Sequence, residues 1–432
     1  TLSVDDTGAQ LIAGSIQGQG NLTLAGGNYM AMYGTNTNTG ALTLNNGTLQ
    51  LKHVANAIGS FASVTLGSGA NGGRLEYVGS GETYAGNIVL AGTNVTATAA
   101  GSNRITANGN GALILTGNIT ATGTSLLQLT GQTGGYFNPI KNQITGAITE
   151  GAGVLSIAMP NVVNDDRYGI AGRWALTNKN NDFSGNITVN VGMLEIGGIL
   201  DDGGAGLGGL GNGTGTTSSM GDLTATRVIT LGSNNFDGRR YDMFGNTDQL
   251  GDAGATQGTN TLAPSGDIGT IIFNDPNAGT ATLGTNISYA MPNVSTANTS
   301  GAQFINVGVK RIVMNGAFNM ATTGNRQIIF DGTNALQNEF NGILANPATS
   351  QTTSVIKEGA GTWRLGGANT YTGTTTVNNG ILELAGGNAI ANGNTVAISG
   401  SGGDGLFSGV AKLRVINSEV IGLLTGNVLT EA

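Results

Sequence analysis

The sequence predicts an all-β protein, a right-handed parallel β-helix with a looped insertion. Three observations carry that reading: short apolar alternations of period two, turns rich in Gly and Asn, and an internal repeat. The alternations include Leu22-Thr23-Leu24, Leu42-Thr43-Leu44, Leu49-Gln50-Leu51, Val64-Thr65-Leu66, Ile187-Thr188-Val189 and Leu382-Glu383-Leu384. Each puts its outer residues on one face of a strand. No stretch of a dozen residues sustains a 3.6-residue period, so helix should be nearly absent.

Composition agrees. Of 432 residues 76 are Gly, against a usual share of ~7%, yet Pro numbers only 6 and the glycines lack a collagen period. A hydrophobic share of 39% with only 10% charged residues gives a chain that folds rather than staying disordered. The net charge is −8, and the 17 basic residues are scattered, so no face would release counterions from nucleic acid. There is no Cys, which removes disulfides and thiolate chemistry and is compatible with export. No apolar run approaches a membrane span. Thr1-Leu2-Ser3-Val4-Asp5-Asp6 is not a signal peptide, so the chain reads as a mature product or excised fragment.

The repeat fixes the architecture. Gly172-Arg173-Trp174-Ala175-Leu176 followed by Asn181 to Ile196 recurs as Gly361-Thr362-Trp363-Arg364-Leu365 followed by Asn369 to Leu384. A partial copy runs from Thr39 to Leu51. Upstream, Asn142-Gln143-Ile144 matches Asn338-Glu339-Phe340, and Glu150-Gly151-Ala152-Gly153 matches Glu358-Gly359-Ala360-Gly361. One such unit has too few apolar residues for a private core, so units must stack and share one. Coils of roughly 20–25 residues are expected. Residues 1–198 and 301–432 read as solenoid repeats. Residues 199–300 read as solenoid with long loops or a small excursion, interrupted by strands at 227–231 and 270–273.

The segment from Glu358 to Leu382 resembles the autotransporter-associated β-strand repeat, and Gly172–Ile196 resembles it with Phe183 at the aromatic position. Leu75 to Tyr84 is similar in style to large surface proteins carrying that repeat. The resemblance implies a parallel β-helix outside a bacterium with an outer membrane, acting as adhesin, fibre or coat more often than as enzyme. It supplies no catalytic residues. No C-terminal membrane barrel is recognisable in the chain.

Candidate chemistry is sparse. His53 is the only histidine and is expected on a coil surface, since no nucleophile elbow accompanies it. The pairs Asp5-Asp6, Asp165-Asp166 and Asp201-Asp202 are expected in solvated turns, because adjacent strand residues point to opposite faces. Gly400 to Leu406, around Asp404, is only a fragment of a calcium nonapeptide. Trp174 and Trp363 are expected to pack between coils rather than to stack on sugars. The best partner-binding candidate is the cluster Asp237, Arg239, Arg240, Tyr241 and Asp242. No cofactor, metal or catalytic set is expected. The leading expectation is a structural surface solenoid that stacks end to end with copies of itself. An adhesin gripping a host or matrix glycan or protein through 199–300 is the alternative, and a polysaccharide-acting enzyme comes third.

Overall fold

In the computed structural model the described residues are 2–4, 10–12, 14–26, 28–32, 34, 36–52, 61–95, 102–131, 140–160, 172–190, 192–198, 217–232, 268–293, 299–348, 350–399 and 410–426. Among them there is no helix, and the strands pair in parallel with strands one coil away, as a β-helix requires. The exception is a small antiparallel pair, Thr217–Ser218 with Gly221–Asp222. The chain divides into two compact units, one comprising 1–188, 192–197 and 217–222, the other 189–191, 198–216 and 223–432.

The first unit shows how the alternation is used. Leu22, Leu42, Val64, Ile88, Ile119 and Ile148 follow one another as register partners on successive coils. Leu24, Leu44, Leu66, Leu90 and Ala121 form the parallel column two residues on, and every member of both columns is buried. Between them Thr23, Thr43, Thr65, Val89, Thr120 and Thr149 face outward and are half-buried. Thr120 and Thr149 share a hydroxyl hydrogen bond of 3.0 Å across neighbouring coils. A second sheet continues each coil through Asn28–Met32, Gly47–Lys52, Gly73–Val78, Asn103–Ala107, Ser125–Gly131 and Leu155–Met159. A third runs through Ser80–Tyr84, Gly111–Leu115, Lys141–Ile144, Arg173–Leu176 and Gly192–Ile196.

The second unit repeats the scheme with larger side chains. One sheet stacks Ile268–Phe273, Thr299–Asn306, Asn325–Gly332, Thr353–Lys357, Thr375–Val377, Asn394–Ile398 and Ile421–Gly426. Another stacks Thr280–Leu283, Arg311–Met314, Gln337–Phe340, Thr362–Leu365, Ile381–Leu384 and Lys412–Val415. Inside lies a run of aromatic contacts: Phe304 stacks on Phe330 with centroids 6.0 Å apart, and Phe330 meets Trp363 at 5.0 Å. Tyr289, Phe318 and Phe340 pack around them.

The expected coil length holds only in part. Register partners Leu22, Leu42, Val64 and Ile88 lie 20, 22 and 24 residues apart, but Ser300, Arg326 and Thr353 are separated by 26 and 27. Some strands are long: Thr299–Asn306 and Asn325–Gly332 have eight residues each, and both of their faces are buried. The strands expected at 227–231 and 270–273 are present as Arg227–Leu231 and Ile268–Phe273.

Leu66→Ala should lower stability by about 2–5 kcal/mol, because it opens a cavity between coils. Thr65→Ala, on the outward face, should change it by no more than about 0.5 kcal/mol. Urea denaturation of the two variants checks this; comparable losses would contradict the inward and outward assignment.

Candidate functional site

The two repeat copies are the most ordered concentration of polar chemistry among the described residues. Each places its Trp inward and ties the indole to a carbonyl of an earlier coil. Trp174 Nε1 donates to Thr130 O at 3.1 Å and Trp363 Nε1 to Asp331 O at 2.9 Å. Both rings are buried, so neither is free to stack on a carbohydrate, in line with the packing expectation.

One coil before each Trp lies a buried Asn, Asn142 and Asn338, as its register partner. A buried amide must satisfy both ends or cost about 1–3 kcal/mol, and these do so by bridging coils. Asn338 Oδ1 accepts from Ile312 N at 3.0 Å while its Nδ2 donates to Thr362 O at 3.0 Å. Asn142 likewise accepts from Leu113 N and donates to Arg173 O. A second pair does the same work further along. Asn181 joins Ile148 N to Ser219 O, and Asn369 joins Leu344 N to Ala389 O, each two residues before the buried aromatic Phe183 or Tyr371.

The match of Glu150–Gly153 with Glu358–Gly361 is one of sequence only. Glu150 ends the strand Ile148–Glu150 and its carboxylate accepts from Leu155 N and Ser184 N. Glu358 instead directly follows Thr353–Lys357, within five residues of Trp363. There Gly359 takes φ of +62°, and an added Cβ would sit 2.3 Å from Asp331 Oδ1, so the turn demands Gly.

Outward from Trp lies a ladder of charge that sequence reasoning missed. Glu339, Arg364, Glu383 and Arg414 are successive register partners on four coils. Arg364 meets Glu339 at 3.2 Å and Glu383 at 3.1 Å. Arg414 pairs with the other oxygen of Glu383, and Arg311 reaches diagonally to Glu339 at 2.6 Å. The equivalent Glu of the first copy, Glu195, is held by Arg173 at 2.5 Å and Lys141 at 3.2 Å. Both Glu195 and Glu383 are only 1% exposed. The signal was present in the sequence as a shared Glu, but its partners stand 19 to 54 residues away and differ between copies.

Buried cations are also spent on structure. Lys357 has Phe330 and Val377 as register partners, and its ammonium donates to the carbonyls of Glu358, Gly359 and Asn379. Burial pushes it down to about 7, opposed by the Asp331 carboxylate. Arg326 donates to Pro292 O and Thr323 O, and burial lowers it to about 10. Lys310 and Asp275 form a buried ion pair at 3.4 Å.

The sequence-picked cluster Asp237, Arg239, Arg240, Tyr241 and Asp242 lies outside the described residues, as do His53, Asp5, Asp6, Asp165, Asp166, Asp201, Asp202 and Asp404. Among the described residues no group of three or more His, Asp or Glu could hold a metal ion, and no helix is long and apolar enough to cross a membrane.

The passenger-associated-transport-repeat family matches residues 171–196 and 355–384, the two segments that hold both Trp residues and the ion-paired Glu195 and Glu383. The chain is also 28% identical over 395 residues to the adhesin BmaC autotransporter of Brucella suis biovar 1 (strain 1330). That alignment takes in 90% of this chain but spans only 10% of the relative. No solved structure matches the chain.

The buried titratable groups set a pH profile. Between pH 7 and the ordinary lysine value of about 10.5, unfolded chain keeps a proton on Lys357 that folded chain has lost, so stability should rise with pH across that window. Burial pushes the phenols of Tyr84, Tyr289 and Tyr371 up, so above about pH 10 the unfolded state ionises first and stability should fall. Urea titrations at pH 7, 8.5 and 10 check the rise, and Lys357→Met should remove it. A steady decline from pH 7, or an undiminished rise in the variant, would contradict the assignment.

Proposed function

We propose that the chain is an autotransporter passenger-type repeat segment, extracellular or at the cell surface of a Gram-negative bacterium, and a non-enzymatic structural stretch of an adhesive surface passenger. Its stacked coils present the 199–300 region, which contacts a host or matrix glycan or protein. One observation supports this above the others: both repeat copies spend their Trp, Asn, Glu and Arg side chains on bonds between coils. Groups consumed in that way hold a scaffold and are not poised to attack a substrate. The cluster Asp237, Arg239, Arg240, Tyr241 and Asp242 supplies mixed charge and an aromatic ring in one short segment, and is the proposed partner-binding patch.

The test pairs binding with turnover. Purified chain should adhere to immobilised matrix glycoprotein, and deletion of 233–265, which spares the strand Arg227–Leu231, should abolish adhesion while leaving the β-sheet circular-dichroism signal. Release of unsaturated or reducing sugars from a polysaccharide panel would contradict the non-enzymatic reading. Undiminished adhesion after the deletion would contradict the location.

A further inference from the structure

Apolar alternation alone leaves a coil's position ambiguous. A slip of one residue turns every inward side chain outward and is strongly penalised, but a slip of two residues restores the alternation. In Ile381–Leu384 such a slip keeps Leu382 and Leu384 inward, beneath a shifted neighbour on the Trp363 strand. The core column therefore discriminates weakly between registers two apart.

The outward column discriminates strongly. Slipped either way by two, Glu383 leaves Arg364 and comes opposite Thr362 or the turn beyond Leu365. The residue is 1% exposed, so its carboxylate would lose its charge partners without regaining water, and a buried carboxylate stripped of its partner is heavily disfavoured. The same slip would break the bond from Gln337 Nε2, two coils earlier, and the pairing with Arg414, one coil later. Glu383 thus senses three neighbouring strands at once. Glu195 occupies the equivalent place in the first copy and is bound by Arg173 and Lys141 from two earlier strands. The basic partners differ between copies, since Ala175 stands where the second copy has Arg364, while the buried, multiply held Glu is common to both.

We infer that the outward Glu of the repeat is a register key, whose burial between cations of adjoining coils selects one stacking register from those that the apolar alternation allows. The consequence is specificity more than stability: mismatched coils can bury their Leu residues but cannot satisfy this carboxylate.

The absence of Cys gives a clean reporter. Thr362 and Ile381 are outward register partners, about 4.8 Å apart as neighbouring strands are, within reach of a disulfide. Thr362→Cys/Ile381→Cys should oxidise efficiently in the otherwise unchanged chain. Adding Glu339→Gln/Glu383→Gln should lower the cross-linked to uncross-linked ratio about fivefold, the population change that one kcal/mol of lost selectivity gives, while β-sheet circular dichroism is retained. Full reversal of the ladder (R311E/E339R/R364E/E383R/R414E) should restore it, because the buried side chain at 383 again lies between opposite charges of the adjoining coils. An undiminished ratio in the Gln variant with the fold retained would overturn the inference. Should the Gln variant fail to fold, the reversed ladder decides alone: efficient cross-linking supports the key, and folded chain that does not cross-link overturns it.

Discussion

Among the described residues, coils shelter one another from water. A strand such as Leu22–Leu24 offers two apolar side chains, far too few to form a core, and they are removed from water because Leu42 and Leu44 lie one rung away. The backbone obeys the same constraint: the strands Leu22–Leu24 and Ala41–Leu44 find their ladder partners on adjoining coils. Stability is accordingly a nearest-neighbour property, built from contacts that recur at each rung. Where the inward residues grow large, as from Tyr289 to Trp363, aromatic packing between coils replaces the aliphatic columns.

Polar groups in this setting serve position. Buried Asn side chains at 142, 181, 338 and 369 each close one hydrogen bond to an earlier coil and one to a later coil. Such a group costs energy in the wrong place and contributes in the right one, which is how a repetitive sequence avoids stacking out of order. The indole bonds and the charge ladder follow the same logic. The charged side chains of the ladder, Glu339, Arg364, Glu383 and Arg414, are thus occupied within the fold.

Much of this was legible in the sequence. The alternations at 22–24, 42–44, 64–66 and 382–384 named the inward columns, and the shared pattern from Gly-x-Trp to Leu-Glu followed by Ile or Leu named the repeat and the packing role of both Trp residues. What escaped were pairings between distant residues. Nothing local links Lys141 to Glu195, 54 residues on, or Arg414 to Glu383. Lys357 was hidden for a different reason: a Lys in an alternating strand reads as outward, and only the carbonyls of Glu358, Gly359 and Asn379 make an inward ammonium tolerable. Coil length was misjudged in the longer coils because insertions at the bends leave the strand pattern untouched. Likewise, the resemblance of Glu150–Gly153 to Glu358–Gly361 reflects turn composition, which two different bends can share.

Interdependence of coils has a direct signature in native-state hydrogen exchange. Protection should be graded within each unit: amides of Asn325–Gly332, flanked on both sides, should exchange far more slowly than those of Lys412–Val415 and Ile421–Gly426 in the last described coil. Equal protection in all strands of the second unit, or strongest protection in that last coil, would contradict the claim that the windings shelter one another.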